Sequence, residues 1–324
     1  MEQEVFMKLG IIGTGTIVEE VLGFIHKFDF EKIYICGRKK SQERVEFLAK
    51  QFNLDAIYYE YEQILKSDAD VIYIGLPNDM HYDYSKQAIE AGKHVIVEKP
   101  ATVTYEQLVE LESLAKQNHV IFIEAMSIYH MPAYKALQQD IKKIGDIRVV
   151  NLNYSQLSKK YKRFCEGDIT PVFDKDRNGG ALRDINIYNI SAMVGLFGKP
   201  NSVFYEPNII KGVDVSGIAL AKYDTFVVNL IGAKDCNSSG PSTFQGEAAT
   251  INVSPFVNGM TGYDIIYNDS SISSESVNLD TGCNRLEFEF VEFIRILNQN
   301  DQAACDLLMQ KTKLVSQIID KCLS

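Results

Sequence analysis

The chain has no close pair of cysteines. Its six, Cys36, Cys165, Cys236, Cys283, Cys305 and Cys322, are scattered, and no two stand at the two-residue gap of zinc and redox sites. Reduced and mostly buried thiols are therefore expected. Histidine is equally thin, five in 324 residues with no His-Glu-x-x-His element, so no metal site is expected. No apolar run approaches the roughly 20 residues of a membrane helix, which argues against a membrane span. Positive charge is in deficit, 33 Lys and Arg against 43 Asp and Glu for a net charge of −10, which opposes nonspecific nucleic-acid binding. The start, Met1-Glu2-Gln3-Glu4-Val5, lacks the basic lead and apolar core of a secretion signal, so a cytoplasmic location is expected.

What remains is an ordinary globular composition, 46% hydrophobic and 23% charged. At about 150 residues per domain the length suggests roughly two domains. Over the first 125 residues, apolar strand-like runs at 7–12, 33–36, 56–59, 71–76, 94–98 and 120–124 alternate with helix-period segments near 16–28, 41–52, 80–92 and 104–118. That alternation predicts a doubly wound parallel sheet buried on both faces. Thr104 opens a capping-box pattern with Gln107, and Gly92 suits the end of the helix before the fifth strand. Beyond 125 the pattern becomes strand alternation at 147–156, 202–210, 217–221, 226–231 and 250–253. Helices near 179, 284–299 and 302–322 are expected to cover one face of a largely antiparallel sheet. Its other face is either a dimerisation surface or a solvated one. The prediction is an α/β chain: a Rossmann domain over 1–124 and an α+β domain for substrate binding and oligomerisation over 125–324.

Three strand ends of the first domain carry chemistry. The turn Gly10-Ile11-Ile12-Gly13-Thr14-Gly15 supplies the first two glycines of a dinucleotide fingerprint, with Val18 in place of the third and Thr16 as a possible helix cap. The second strand ends in Gly37-Arg38-Lys39-Lys40. Gly37 stands 22 positions after Gly15 (37 − 15), near where an acid would hold an unmodified ribose. Cations there suit a 2′-phosphate, so NADP is preferred over NAD, though a solvent-facing helix start would look the same. The strand His94 to Val97 runs into Glu98-Lys99-Pro100, placing Lys99 at the carboxyl edge where ligands bind, and Leu76-Pro77-Asn78 with His81 reaches the same edge. In the second domain, Gly179-Gly180 leads to Asp184 and Tyr188, four apart and so on one face of a helix. The basic run Lys159 to Arg163 reads as a solvated loop or as a rim attracting anions.

Together these segments resemble the Gfo/Idh/MocA family of nicotinamide-dependent oxidoreductases. The markers are Gly10 to Gly15, Leu76-Pro77-Asn78 with His81, Ala91 through Pro100, and Gly179-Gly180 with Asp184 and Tyr188. Glu124-Ala125-Met126 followed by His130-Met131-Pro132 is similar to the dihydrodiol-dehydrogenase-like branch. The resemblance implies that Lys99 is the acid/base or carbonyl-polarising group, Asp184 positions substrate, and Tyr188 stands where many members have a catalytic histidine. It also implies an unusual backbone at Lys99-Pro100, a cis bond being one form. The cofactor set is Gly13, Thr14, Gly15, Thr16, Ile17, Gly37, Arg38, Lys39, Leu76, Pro77, Asn78, His81, Glu98 and Lys99. The departures are Val18, Arg183 beside Asp184, and Asn186 where glycine is common. The expected activity is hydride transfer between NADP, or NAD, and a secondary alcohol or ketone of a small sugar, polyol or cyclic diol, in a homodimer or dimer of dimers. The alternative is a cofactor-binding sensor without turnover.

Overall fold

The computed structural model describes residues 7–324, so the acidic start that suggested a cytoplasmic location lies outside the described residues. The chain divides into two compact units, one running to Ala125 and taking in Phe290–Gln310, the other made of Met126–Glu289 and Lys311–Ser324.

In the first unit six strands, β1 (Lys8–Ile12), β2 (Lys32–Cys36), β3 (Ala56–Tyr58), β4 (Val71–Ile74), β5 (His94–Glu98) and β6 (Phe122–Ala125), lie in the order 3-2-1-4-5-6. All pairs are parallel. The order reverses between β1 and β4, which is where a doubly wound sheet opens its ligand crevice. The strands are apolar along nearly their whole length because helices α1 (Thr16–Leu22), α2 (Gln42–Gln51), α3 (Tyr61–Leu65), α4 (His81–Glu90) and α5 (Tyr105–Gln117) return the chain between them. The local signals for α5 and α4 hold: the Thr104 side chain accepts from the Gln107 amide, and Gly92 takes φ +73° after α4. Helix α1 is shorter than its apolar period suggests, ending at a Gly23 cap.

The second unit holds an eight-stranded sheet in the order 14-13-12-11-7-10-9-8, antiparallel except for the pair of β7 and β10. Its strands are β7 (Ile147–Ser155), β8 (Ser202–Ile210), β9 (Val213–Lys222), β10 (Val227–Ala233), β11 (Ser242–Gly246), β12 (Ala249–Val253), β13 (Gly262–Tyr267) and β14 (Glu275–Asn278). Helices α6 (Pro132–Asp140) and α8 (Ile187–Phe197) pack on one face, and α7 (Tyr161–Cys165) lies in the loop after β7. The closing pair, α9 (Arg285–Gln299) and α10 (Gln302–Leu323), departs from expectation. The division between units falls within both, and Phe290 of α9 packs on Phe24 and Tyr73 of the first unit, with ring centres 5.4 and 5.7 Å away. Met309 of α10 joins the core around Leu108, Leu111 and Phe122.

The uncovered face of the large sheet is mixed in character. One cross-strand row reads Phe204, Leu220, Asn229, Asn151, Thr243, Asn252. Its β8–β9 end is apolar and exposed, while its centre is an amide ladder in which Asn229 donates to Asn151 at 3.3 Å. Among the described residues no helix is long and apolar enough to cross a membrane, and no three His, Cys, Asp or Glu side chains could hold a metal ion.

Candidate functional site

In the first unit the site is built from the carboxyl ends of β1, β2, β4 and β5. Gly13 takes φ +118°, and a side chain there would start 2.4 Å from the Gly75 carbonyl oxygen. Gly15 has nothing within 4 Å of where a Cβ would lie, so the backbone before α1 is open to close approach. These two positions fit the diphosphate of a dinucleotide. Gly15 itself is the N-cap of α1, with no side-chain cap, so Thr16 is the first helical residue and not the cap it was expected to be. Thr14, Thr16 and Ile17 remain at least partly accessible around the turn.

Val18 is completely buried, and its Cγ2 lies 2.5 Å from where a Gly75 Cβ would stand. The close packing that the third fingerprint glycine normally permits is thus supplied from the facing strand end. Val18 fills space that Gly75 leaves.

At the end of β2, a Cβ on Gly37 would meet Val45 at 2.5 Å and Thr14 at 3.0 Å, so the missing side chain lets the two turns meet. An open cleft beside them is lined by Thr14, Lys39, Lys40, Ser41, Gln42 and Arg44 among others. Arg38 is exposed at its edge, and Lys39 lies 4.4 Å over the Tyr59 ring. Arg44, which the sequence reading passed over, adds a further cation, paired with Glu19.

Lys99 follows β5 with its backbone fixed on both sides. Tyr73 donates to Glu98 Oε1 at 2.6 Å, the Ala101 amide donates to Glu124 Oε1 at 2.8 Å, and His81 Nδ1 lies 2.7 Å from the Pro100 carbonyl. The Lys99-Pro100 bond is cis. Two expected cofactor contacts take a different place here. His81 is fully buried with Nε2 also 2.7 Å from the Leu76 carbonyl, so it ties the Leu76-Pro77-Asn78 turn to the Lys99-Pro100 turn instead of facing a ligand. Burial holds its imidazole below the ordinary range and Lys99 adds to this, while the two carbonyls and Asp79 oppose it. Glu98 is buried beneath the strand end and braces it. Leu76, Pro77 and Asn78 stay half-buried at the edge.

In the second unit Gly179 and Gly180 are required by contact. A Cβ on Gly179 would lie 2.6 Å from the Pro171 carbonyl oxygen, and one on Gly180, at φ +118°, would lie 1.9 Å from Asp214 Oδ1. Asp214 Oδ2 accepts from the Leu182 amide at 2.7 Å and from the Tyr205 hydroxyl at 2.8 Å, anchoring the start of the following helical segment. That segment is not one regular α-helix: Leu182–Asn186 is a π turn, and α8 begins at Ile187. Asp184 lies in the wide turn and Tyr188 in the α-helix. Asp184 bonds Lys234, while the Tyr188 ring is flanked by Tyr154, centroid to centroid 5.9 Å, and by the Arg285 guanidinium at 6.0 Å. Burial holds the Arg183 guanidinium below its ordinary range, with the charges of Asp320 and Asp214 opposing this. Asn186 is buried and donates to the Leu230 carbonyl at 3.1 Å, in space left by Gly232, whose Cβ would lie 2.6 Å from that of Asn186. The basic run after Ser158 is solvated, with Arg163 bonded to Asp168.

Burial, the largest influence on Asp214, raises its carboxyl above the usual range against the two hydrogen bonds and Lys234. A raised carboxyl binds its proton more tightly when folded, so its contribution to stability is full below about pH 4, the unfolded value, and is lost as pH rises through the folded value. Melting of the native protein and Asp214→Asn from pH 4 to 7 should therefore show the difference shifting in favour of Asn, then levelling. A shift favouring the native protein would contradict this.

Sequence reasoning missed Lys234, Asp214, Arg285 and Tyr154. A signal existed for Lys234, a lone cation closing the apolar strand Val227–Ala233 just as Lys99 closes β5. None marked the others, whose partners are distant in sequence.

Residues 7–126 match the model of an oxidoreductase family with an NAD-binding Rossmann fold. The chain is 28% identical over 320 residues to the NADP-dependent scyllo-inositol 2-dehydrogenase of Bacillus subtilis, covering 97% of this chain and 95% of that one. It is 28% identical over 225 residues to the trans-1,2-dihydrobenzene-1,2-diol dehydrogenase of Xenopus tropicalis, covering 67% and 65%. A 3-ketoreductase from Actinomadura kijaniata, solved with TDP-benzene and NADP, superposes with a TM-score of 0.82 at 19% identity over 98% of this chain and 97% of that one. The fold is therefore shared from end to end, and residues 7–126 match the Gfo/Idh/MocA oxidoreductase family, with its NAD-binding Rossmann fold.

Proposed function

We propose that the protein is an NADP-dependent dehydrogenase or reductase that interconverts a secondary alcohol and a ketone on a small sugar, polyol or cyclic diol. The observation that carries this reading is Lys99 at the carboxyl end of β5, its flanking backbone clamped by Glu124 and His81, on the same sheet edge as the Gly13–Gly15 turn. Bound nicotinamide supplies or accepts the hydride. Lys99 takes the hydroxyl proton in oxidation and returns it in reduction. Asp184 and Tyr188 are the substrate-side groups, one a hydrogen-bond acceptor and the other a phenol held between Tyr154 and Arg285. In this reading the unit that ends at Ala125 and takes in Phe290–Gln310 is the cofactor domain, and the unit of Met126–Glu289 and Lys311–Ser324 is the substrate and oligomerisation domain. The relatives named as inositol and dihydrodiol dehydrogenases support the substrate class.

Arg38, Lys39 and Lys40 are assigned to the 2′-phosphate, where charge-assisted hydrogen bonds to cations favour NADP over NAD. Fluorescence titration should give NADPH at least about tenfold tighter than NADH. The double variant Lys39→Glu/Lys40→Glu should lose that preference by weakening NADPH alone. Equal affinities in the native protein would overturn the assignment. Turnover itself is tested by nicotinamide absorbance with NADP and a panel of inositols, sugars and dihydrodiols. Tight NADPH binding with no reaction across that panel would point to a sensor.

We further propose a homodimer, or a dimer of dimers, formed through the uncovered sheet face, and a cytoplasmic location. Exposed Phe204, Ile218 and Leu220 support the first, and six free cysteines support the second. Phe204→Glu with Leu220→Lys keeps an attractive cross-strand pair while removing the apolar patch. Light scattering should then fall from about twice to once the 36.5 kDa chain mass, whereas an unchanged mass would move the interface elsewhere.

A further inference from the structure

Lys234 directly follows β10, and its side chain is only 3% exposed. Its ammonium donates to Asp184 Oδ2 at 2.5 Å and to the Val172 carbonyl at 3.0 Å, and it lies 4.5 Å from the centre of the Phe173 ring. Its backbone adds two ties: its amide donates to the Val215 carbonyl at 2.8 Å, and its carbonyl accepts from the Ser158 amide at 2.9 Å. A buried ammonium is tolerated only when paired and hydrogen-bonded, and breaking one side of such a pair leaves the other uncompensated. One group thus joins three elements that are far apart in sequence. They are the π turn carrying Asp184, the Pro171–Phe173 turn, and the end of the central strand β10.

We propose that Lys234 is a positioning residue that fixes the Asp184 carboxylate and locks the Pro171–Phe173 segment to it, so that substrate recognition and loop order depend on one ion pair. A carboxylate held in this pair is an acceptor, and it selects a substrate hydroxyl beside the reacting carbon over an ether or a methyl group. The kinetic half of this inference rests on the reading of Asp184 as a substrate group. The loop half does not.

The test compares the native protein with Lys234→Met, Lys234→Arg, Asp184→Asn and the double Lys234→Met/Asp184→Asn. Trypsin should cut after Lys175 or Arg177 at least about tenfold faster in Lys234→Met and in Asp184→Asn, at close to the native rate in Lys234→Arg, and no faster in the double than in the faster single. With NADP and scyllo-inositol as probe, Lys234→Met should raise KM about 10- to 100-fold, with a smaller change in kcat and unaltered NADPH affinity. In the Asp184→Asn background the same change should add nothing. Native cleavage rates and KM in Lys234→Met would overturn the proposal, as would a full further loss on top of Asp184→Asn. If Lys234→Met does not fold, Asp184→Asn must still loosen the loop and Lys234→Arg must not. If the native protein turns over none of the alcohol panel, the proposed function fails while the trypsin result still decides the tie.

Discussion

Lys99→Met is expected to lower turnover by at least about a thousandfold while leaving NADPH affinity within about twofold. The size follows from the reaction: a carbinol loses hydride readily only as its hydroxyl proton departs, and a positioned acid/base contributes about 10²- to 10⁴-fold. Methionine replaces the apolar stem of lysine, one atom shorter, without the ammonium. The surrounding frame has ties of its own, because the Pro100 carbonyl, the Ala101 amide and Glu98 are bonded by His81, Glu124 and Tyr73 respectively. The diphosphate and the 2′-phosphate are assigned to the ends of β1 and β2, so most of the cofactor's binding should survive the loss of the Lys99 contact. The measurement is steady-state nicotinamide absorbance beside a fluorescence titration of NADPH. Native turnover in the variant would remove Lys99 from the chemistry, and loss of both readouts would make it a structural residue.

The second large effect concerns Val18 and Gly75. Gly75→Ala places a methyl 2.5 Å from Val18 Cγ2 and 3.3 Å from Tyr73 Cε1, in a core where both neighbours are fully buried. Overpacking of this kind costs about 1–3 kcal/mol. Val18→Ala alone opens a void and costs a similar amount. The double variant removes two methyls at 18, one of them the clashing Cγ2, and adds one at 75, so its loss should fall short of the sum by about 1 kcal/mol or more, as contacting residues do. Urea unfolding of the four proteins measures this, and additive losses would mean that the two positions do not share space.

Much of the first unit was legible because its signals are local. An apolar run, a glycine turn and a capping threonine act on residues within a few positions, and β1, β4, β5 and α5 appear close to where those signals put them. The second unit was less legible. Strand β11 begins beyond Ser238-Ser239-Gly240-Pro241, which reads as a loop, and β14 is a polar edge of only four residues, Glu275 to Asn278. Their pairing is decided by the neighbouring strand, which propensity does not see. The site divides the same way. Lys99, Asp184 and Tyr188 sit in recognisable segments, but the Lys234 partner of Asp184 lies 50 positions away and Arg285 reaches Tyr188 from the start of α9. His81 shows the limit of such reading, because sequence cannot reveal that both of its nitrogens meet backbone carbonyls.

Asn186 and Gly232 bear on how such a chain changes over generations. An asparagine between Asp184 and Tyr188 fits only where β10 carries no side chain, since a Cβ at 232 would lie 2.6 Å from that of Asn186. The two substitutions therefore have an order: a lineage that starts with glycine at 186 and a side chain at 232 must lose the latter before it can gain asparagine. Once Asn186 has entered and bonded Leu230, Gly232 can no longer revert alone. The contact works as a ratchet, and two descendants separated by it would tolerate different residues at the same aligned position.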